Sequence, residues 1–570
     1  MKHSIITYAL LLIIFLMACS SEEHQELLGV WETHMPARKG YQIELSLADT
    51  TGELTFTDFE TQKFSFLLEV ANKQLTFAIP EINAVFNGAY SSENQNITGI
   101  WEQTGQAQDL IFYAQDQSDT SNRTGKYKAS LQHALAQDWH VLMELSTGNF
   151  GKLITHTYIV GQAALGDPSV AVHYANGALT VSESTGNYTL KFAENKRELI
   201  GFYTNNKKEQ FEITFQKTAK PVTDYFQPSS NTNYQYSIPA ESADFDVASL
   251  TDVGLHEEKI AKIVNNIYSK AYPGVHSMLI FKQQKLVLEE YFYDYDQHQL
   301  HDIRSVKKSL VALALGIAID KGFIKSVDDQ VIDYLPEYKA GASEAVQSVT
   351  FKDFITMSSG LACDDMDRKS AGNQYKMSNH FDWVKFIVDL PKQYNSDEES
   401  AYCSGGVGVV MAAIANASGL NEEAFFQQYL FEPLGIVEYD YTLTPKGQIA
   451  FMQLKPKDML KIGVMMLNNG LWKEKEVVPT SWLMEARAAH ATLKIGRLKT
   501  FDYGYLMWLD RFGFDGETRG FHAAGAGGQA IYVIPDQEMV VVFTAGNYNS
   551  GKLSNITYEI IRKNIIEAIK

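Results

Sequence analysis

Cysteine is scarce in this 570-residue chain, with only Cys19, Cys363 and Cys403 present. No Cys or His spacing of the zinc type occurs, so zinc chemistry is not supported, and nothing in the sequence calls for a cofactor. Positive charge is also short: 49 Lys and Arg stand against 68 Asp and Glu, a net charge of −19. Phosphate binding relies on clustered cations that release counterions, so nucleic acid is excluded as a partner. Disorder is excluded by the apolar content, which at 45% fits a globular chain. At this length one hydrophobic core is not enough, and two or three domains are expected.

What is present begins with residues 1–19, where Lys2 and His3 precede an apolar run from Ile5 to Met17, followed by Ala18 and Cys19. The run is too short for a comfortable membrane span and matches the apolar core of a signal peptide. The segment resembles a bacterial lipoprotein signal, which implies that Cys19 becomes the acylated first residue of an exported, membrane-anchored chain. Ser20 in the next position resembles the outer-membrane sorting pattern. In an exported protein Cys363 and Cys403 are free to pair, which would contribute about 3 to 4 kcal/mol in the chain-entropy picture; two buried thiols are the alternative.

Residues 20–220 show short β-branched and aromatic runs broken by Gly, Asn and Asp, the pattern of an all-β region. Gly99-Ile100-Trp101 and Gly201-Phe202-Tyr203 each precede a similar second strand, which suggests two modules joined near Gln115–Lys126, or else coincidence among strand-rich segments. Residues 221–248, rich in Ser, Asn, Tyr and Pro, read as a linker. Residues 249–570 carry helices at both ends, hairpins next to them and a helical middle, which predicts an α+β domain with an antiparallel sheet covered by helices.

Within that domain Ser305 and Lys308 stand three apart at the start of a nearly all-apolar stretch, Val311–Ile319. Residues three apart share a helix face, so hydroxyl and amine come within reach. A free hydroxyl is a poor nucleophile, and a lysine partly desolvated by helix packing is a partner able to take its proton. No other Ser has Lys three positions later, yet Ser-x-x-Lys alone also fits a capped helix with a solvated Lys.

Further landmarks follow in order: Ile355-Thr356-Met357-Ser358-Ser359-Gly360-Leu361, Tyr402-Cys403-Ser404-Gly405-Gly406, and Leu454-Lys455-Pro456-Lys457-Asp458-Met459. Together with Arg304–Ser309 they resemble the β-lactamase-related serine hydrolases, a superfamily that includes class C β-lactamases, low-molecular-mass penicillin-binding proteins, esterases and 6-aminohexanoate-dimer hydrolase. The resemblance covers about residues 250–570. It implies that Ser305 is the nucleophile, Lys308 its base, and Tyr402, with Ser404, the loop residue that relays protons. The strand expected to line the pocket is Phe521–Gln529, where Ala523 stands at the position of the family's lysine. By the same resemblance, Ser305 and Ala526 would supply the oxyanion N–H donors beside Gly525, with Gln529 in the motif. His522 either partly replaces the missing cation or, as a His flanking a strand more often does, serves as a packing residue.

The implied activity is hydrolysis of a small ester, amide or peptide-like substrate through an acyl-enzyme. The rivals are β-lactamase or D,D-peptidase activity and a non-catalytic sensor of the same fold. Asp364-Asp365-Met366-Asp367 lacks the spacing of an EF-hand loop and reads as a solvated loop edge.

Overall fold

The computed structural model describes residues 26–35, 41–59, 62–71, 73–115, 124–131, 139–147, 153–159, 167–168, 171–182, 186–194, 197–205, 210–225, 234–293, 295–393, 400–495, 499–512, 518–548, 553 and 555–570. The expected signal segment and Cys19 lie outside these residues. Among the described residues no helix is long and apolar enough to cross a membrane.

The N-terminal half is all β. The chain lays down β1 (Gly29–Met35), then leaves to build a second sheet that runs from β2 (Tyr41–Leu47) through β3 (Asn96–Gln103) and β4 (Gln106–Ala114) to β5 (Gly125–Leu131). It returns with β6 (Trp139–Thr147) and ends in β7 (Glu198–Asn205) and β8 (Gln210–Thr218) beside β1. Each sheet has nine strands among the described residues, and in each the first strand sits between the second and the last. The sequence alternates accordingly: in β8 Phe211, Ile213 and Phe215 are buried while the residues between them are exposed. The two interiors are filled by apolar side chains, Trp101, Phe86 and Phe112 in one and Trp31, Leu190 and Phe215 in the other.

The boundary between the sheets differs from the expected joint at Gln115–Lys126. β5 still belongs to the second sheet, pairing with β2 and β4, and the chain changes sheets only after Leu131. The two Gly-x-aromatic motifs also fall out of step, because β8 closes its sheet onto β1 whereas β4 is followed by one more strand. The sheets share a closing pattern rather than a repeat of those motifs.

The stretch read as a linker is not free along its whole length. From Tyr234 on it is packed against the C-terminal domain: the Tyr236 hydroxyl donates to Val287 O at 2.9 Å, Phe245 is buried in the core, and Asp244 pairs with Lys461 and Lys473.

The C-terminal half is a three-layer α+β domain. Helix α1 (Glu257–Tyr268) buries Ile260, Ile263, Val264 and Ile267 against an antiparallel eight-stranded sheet. That sheet takes in β9 (Val275–Lys282) and β10 (Lys285–Tyr291) from one end of the domain. A short strand, β11 (His301–Asp302), leads into helix α2 (Val306–Asp320) on the other face. Next come α3 (Gln374–Met377), α4 (Trp383–Val388), α5 (Ser404–Ser418), the hairpin β12 (Asp440–Leu443) and β13 (Ile449–Leu454), and α6 (Pro456–Leu467). Among the described residues the eight strands are completed by Ala491–Ile495 and Lys499–Tyr503, followed by β14 (Trp508–Phe512), β15 (Thr518–Gly525), β16 (Gln529–Ile534) and β17 (Met539–Ala545). Strands β9 and β17 are buried at every position, since helices cover both faces, and so neither alternates; β17 is apolar but for Thr544, and β9 carries the run Met278–Phe281.

Candidate active site

Helix α2 is apolar all round and is buried almost throughout. Gly316 allows this, because a Cβ there would lie 2.2 Å from the Trp482 ring, whose Nε1 donates to Ala312 O at 3.0 Å. Such packing fixes the N-terminal end of the helix, where Ser305 sits as the cap residue, half-buried.

The residue before it is strained: Arg304 has φ +51, a region costly for a side chain other than glycine. Several contacts hold it there. Its N–H donates to Asp302 Oδ1 at 2.8 Å, its Nε lies 3.1 Å from Asp302 Oδ2, and its guanidinium covers the Tyr548 ring at 4.6 Å and the Phe451 ring at 5.4 Å.

Lys308, one turn into α2, is buried, and its Nζ donates to Ser305 Oγ at 2.8 Å. The same Nζ lies 4.9 Å from the centre of the Tyr402 ring. Three side chains from two segments about a hundred residues apart are thus gathered in one place. The Tyr402 ring is backed by Trp508, stacked at 5.7 Å.

Tyr402 is held from below by a latch. Cys403 is disulfide-bonded to Cys363. Two residues further on, the Asp365 N–H donates to Tyr402 O at 2.8 Å, while its carboxylate accepts the N–H groups of Ser404 (2.8 Å) and Gln374 (2.6 Å). Asp365 therefore caps α5 and α3 together, satisfying donors that helix starts leave unpaired. The neighbouring Asp364 and Asp367 carboxylates accept the N–H groups of Met366 and Lys369. The acidic cluster is thus a partly exposed loop edge whose carboxylates also cap backbone N–H groups.

The strand β15 ends against Ser305. A Cβ on Gly525 would lie 2.5 Å from Ile303 O, 2.9 Å from Arg304 Cβ and 3.1 Å from Ser305 N, so only glycine permits this approach. Ala526 follows, exposed, and among the described residues no hydrogen bond to another residue engages the N–H of Ser305 or of Ala526. Gln529 does not point into the cleft. It is buried, with its amide spanning Ala545, Ala526 and Tyr548, and it ties the end of β16 to β17.

Of two further residues, Ser404 does not sit where the resemblance implies and His522 is packed rather than presented as a cation. The Ser404 hydroxyl is 3.4 Å from Gln374 Oε1, turned toward α3 rather than toward Lys308. His522 lies among the rings of Trp508, Phe512, Tyr532 and Tyr558. Burial there holds its imidazole down to about 3, so it stays neutral and supplies no cation. Ala523, at the position of the family's lysine, is buried in the core that packs on α2.

Next to Lys308, Lys307 faces the other way and donates to Ile449 O at 2.6 Å and Ala450 O at 3.1 Å. Burial lowers the Lys307 ammonium and raises the Glu422 carboxyl, each being the other's nearest compensating charge. Sequence reasoning missed Asp365, Trp508 and the Asp302–Arg304 pair. Only Asp365 carried a signal, since it lies two residues beyond a cysteine whose partner adjoins Tyr402.

No cluster of His, Cys, Asp and Glu suited to a metal is found among the described residues. No curated protein matches the chain. Several solved structures align with about half of the chain. A putative 6-aminohexanoate-dimer hydrolase from Bacillus anthracis is 17% identical, covers 50% of this chain and 79% of its own, and superposes with a TM-score of 0.42. A putative β-lactamase from Bacteroides dorei is 15% identical, with coverage of 54% and 98% and a TM-score of 0.43. A family VIII carboxylesterase is 13% identical, with coverage of 57% and 100% and a TM-score of 0.42. The family model described as Beta-lactamase matches residues 258–559, more than half of the chain. The chain therefore belongs to the Beta-lactamase family.

Proposed function

We propose that the chain hydrolyses an uncharged ester or amide through an acyl-enzyme on Ser305. The contact of 2.8 Å between Lys308 Nζ and Ser305 Oγ carries this reading. In the forward direction Lys308 Nζ takes the hydroxyl proton as Oγ bonds to the substrate carbonyl carbon. The carbonyl oxygen becomes an oxyanion beside the N–H groups of Ser305 and Ala526, donors free to meet it. Collapse breaks the bond to the leaving group, which receives a proton relayed through Tyr402 and Lys308; water then attacks the ester on Ser305 and restores the hydroxyl.

Ala523 and the neutral His522 leave the pocket strand without the cation that would hold a substrate carboxylate, which favours esters and amides over penicillins and peptidoglycan stems. The first 19 residues support export with a lipid on Cys19, probed by comparing fatty-acid labelling of the chain with that of Cys19→Ala. For the reaction class, rates are compared on p-nitrophenyl esters, D-amino-acid amides and nitrocefin. The reading expects esters or amides to turn over, and Ser305→Ala to remove that turnover. Turnover of nitrocefin alone would favour the β-lactamase alternative, and labelling of Ser305 without any turnover the sensor alternative.

A further inference from the structure

The turn between β3 and β4 reaches across to the hairpin β12–β13, and this contact is polar and buried. Gln103 Nε2 donates to Pro445 O at 3.0 Å, Thr104 Oγ1 donates to Gly447 O at 3.0 Å, and the Tyr441 hydroxyl returns a bond to Thr104 O at 3.0 Å. Gln103 and Thr104 are 5% and 3% exposed, so water does not compete for these donors. A second contact lies at the edge of the same β module. Phe381, just before α4, inserts its ring among Phe56, Phe59 and Phe64, at 5.2 to 5.9 Å.

The opposite edge of the hairpin holds the nucleophile. β13 pairs with β11, His301 facing Leu454 and Asp302 facing Gln453, and Ile303 N donates to Met452 O at 3.0 Å. Lys307, two residues past Ser305, donates to Ile449 O and Ala450 O, and Phe451 lies under Arg304. Residues on both sides of Ser305 are therefore bonded to β13, while the β12 side and the turn of the same hairpin are bonded to the N-terminal module.

We propose that the β2–β5 module is a brace for the active site, with Gln103 and Thr104 as positioning residues that act on Ser305 through the β12–β13 hairpin. This rests on the reading of Ser305 as nucleophile. Anchoring by buried directional bonds selects one placement of the hairpin, which a purely apolar contact would leave freer to slide. A small displacement of the nucleophile is enough to matter, since a 1 Å misplacement can cost about 100-fold in rate.

The test uses the full-length chain carrying Gln103→Leu and Thr104→Val, which keep size and remove both donors. Two quantities are read: the rate at which a fluorophosphonate labels Ser305, and amide hydrogen exchange over residues 301–307 and 449–454. The brace predicts labelling slowed about tenfold or more, faster exchange in both segments, unchanged exchange in β9 and β17, and recovery in Thr104→Ser. Labelling within twofold of the parent chain, or slowed labelling with exchange in both segments unchanged, overturns it. Should the double variant not fold, Thr104→Val alone is read in the same way. If the parent chain is not labelled, the nucleophile reading falls, and exchange over 301–307 alone decides whether the module braces that segment.

Discussion

The N–H of Asp365 donates to the carbonyl of Tyr402 at 2.8 Å, and its carboxylate holds the next helix start through the N–H of Ser404. One residue thus sets both the height of the tyrosine and the direction in which its chain leaves. Replacing Asp365 by Ala removes two helix caps and lets the Tyr402 loop shift. We expect kcat to fall by about 10- to 100-fold, with KM changed less, and Asp365→Asn, which keeps one acceptor oxygen, to lie between. Steady-state kinetics on a p-nitrophenyl ester reads both values.

The disulfide between Cys363 and Cys403 closes a span of 40 residues that contains α3 and α4. Removing it frees the unfolded chain, at a cost of about 4 kcal/mol by loop entropy. Cys363→Ala/Cys403→Ala is expected to lower the denaturant midpoint accordingly, measured by urea unfolding followed by tryptophan fluorescence. An unchanged midpoint would place the cross-link's role elsewhere.

Two buried imidazoles set a pH dependence. Burial holds His301 down to about 4 and His522 to about 3, so both are neutral in the folded chain at values where the unfolded chain, near 6.5, already binds a proton. Between those limits the unfolded state carries more protons, and stability falls as pH falls. The stabilising contribution is complete above about 6.5 and is lost progressively down to the folded values, with a slope of at most ~1.4 kcal/mol per pH unit for each ring. Thermal unfolding from pH 7 to pH 4 should show this decline, and His522→Phe should flatten it.

Gly525→Ala tests the approach of β15 to Ser305. Its Cβ would meet Ile303 O at 2.5 Å, and that atom belongs to backbone, which cannot swing aside. Labelling of Ser305 should slow while the unfolding transition stays cooperative; unaltered labelling would mean that β15 does not bound the reactive site.

Much of this was legible in the chain. Ser305 and Lys308 could be placed together because three residues apart on a helix is a local relation, and α2 could be read as buried because its apolar residues leave no polar face. The α+β architecture followed from the order of hairpins and helices. Other features depend on contacts between distant segments. Whether Tyr402 meets Lys308 depends on a latch from Asp365 and a wall from Trp508, neither marked by spacing. His522 looks available in a strand, yet four aromatic rings enclose it. The change of sheet after Leu131 was hidden because strands of either sheet share one alternating pattern, and pairing rather than composition assigns them. The turn at Gln103–Thr104 read as an ordinary hairpin end, since its partners lie about 340 residues away.

The most direct measurement is to treat the full-length chain and its Ser305→Ala variant with a fluorophosphonate and to sequence the modified peptide by mass spectrometry. The account predicts a single phosphonylated site at Ser305, absent from the variant. Modification at another serine, or a variant labelled as fast as its parent, would contradict it.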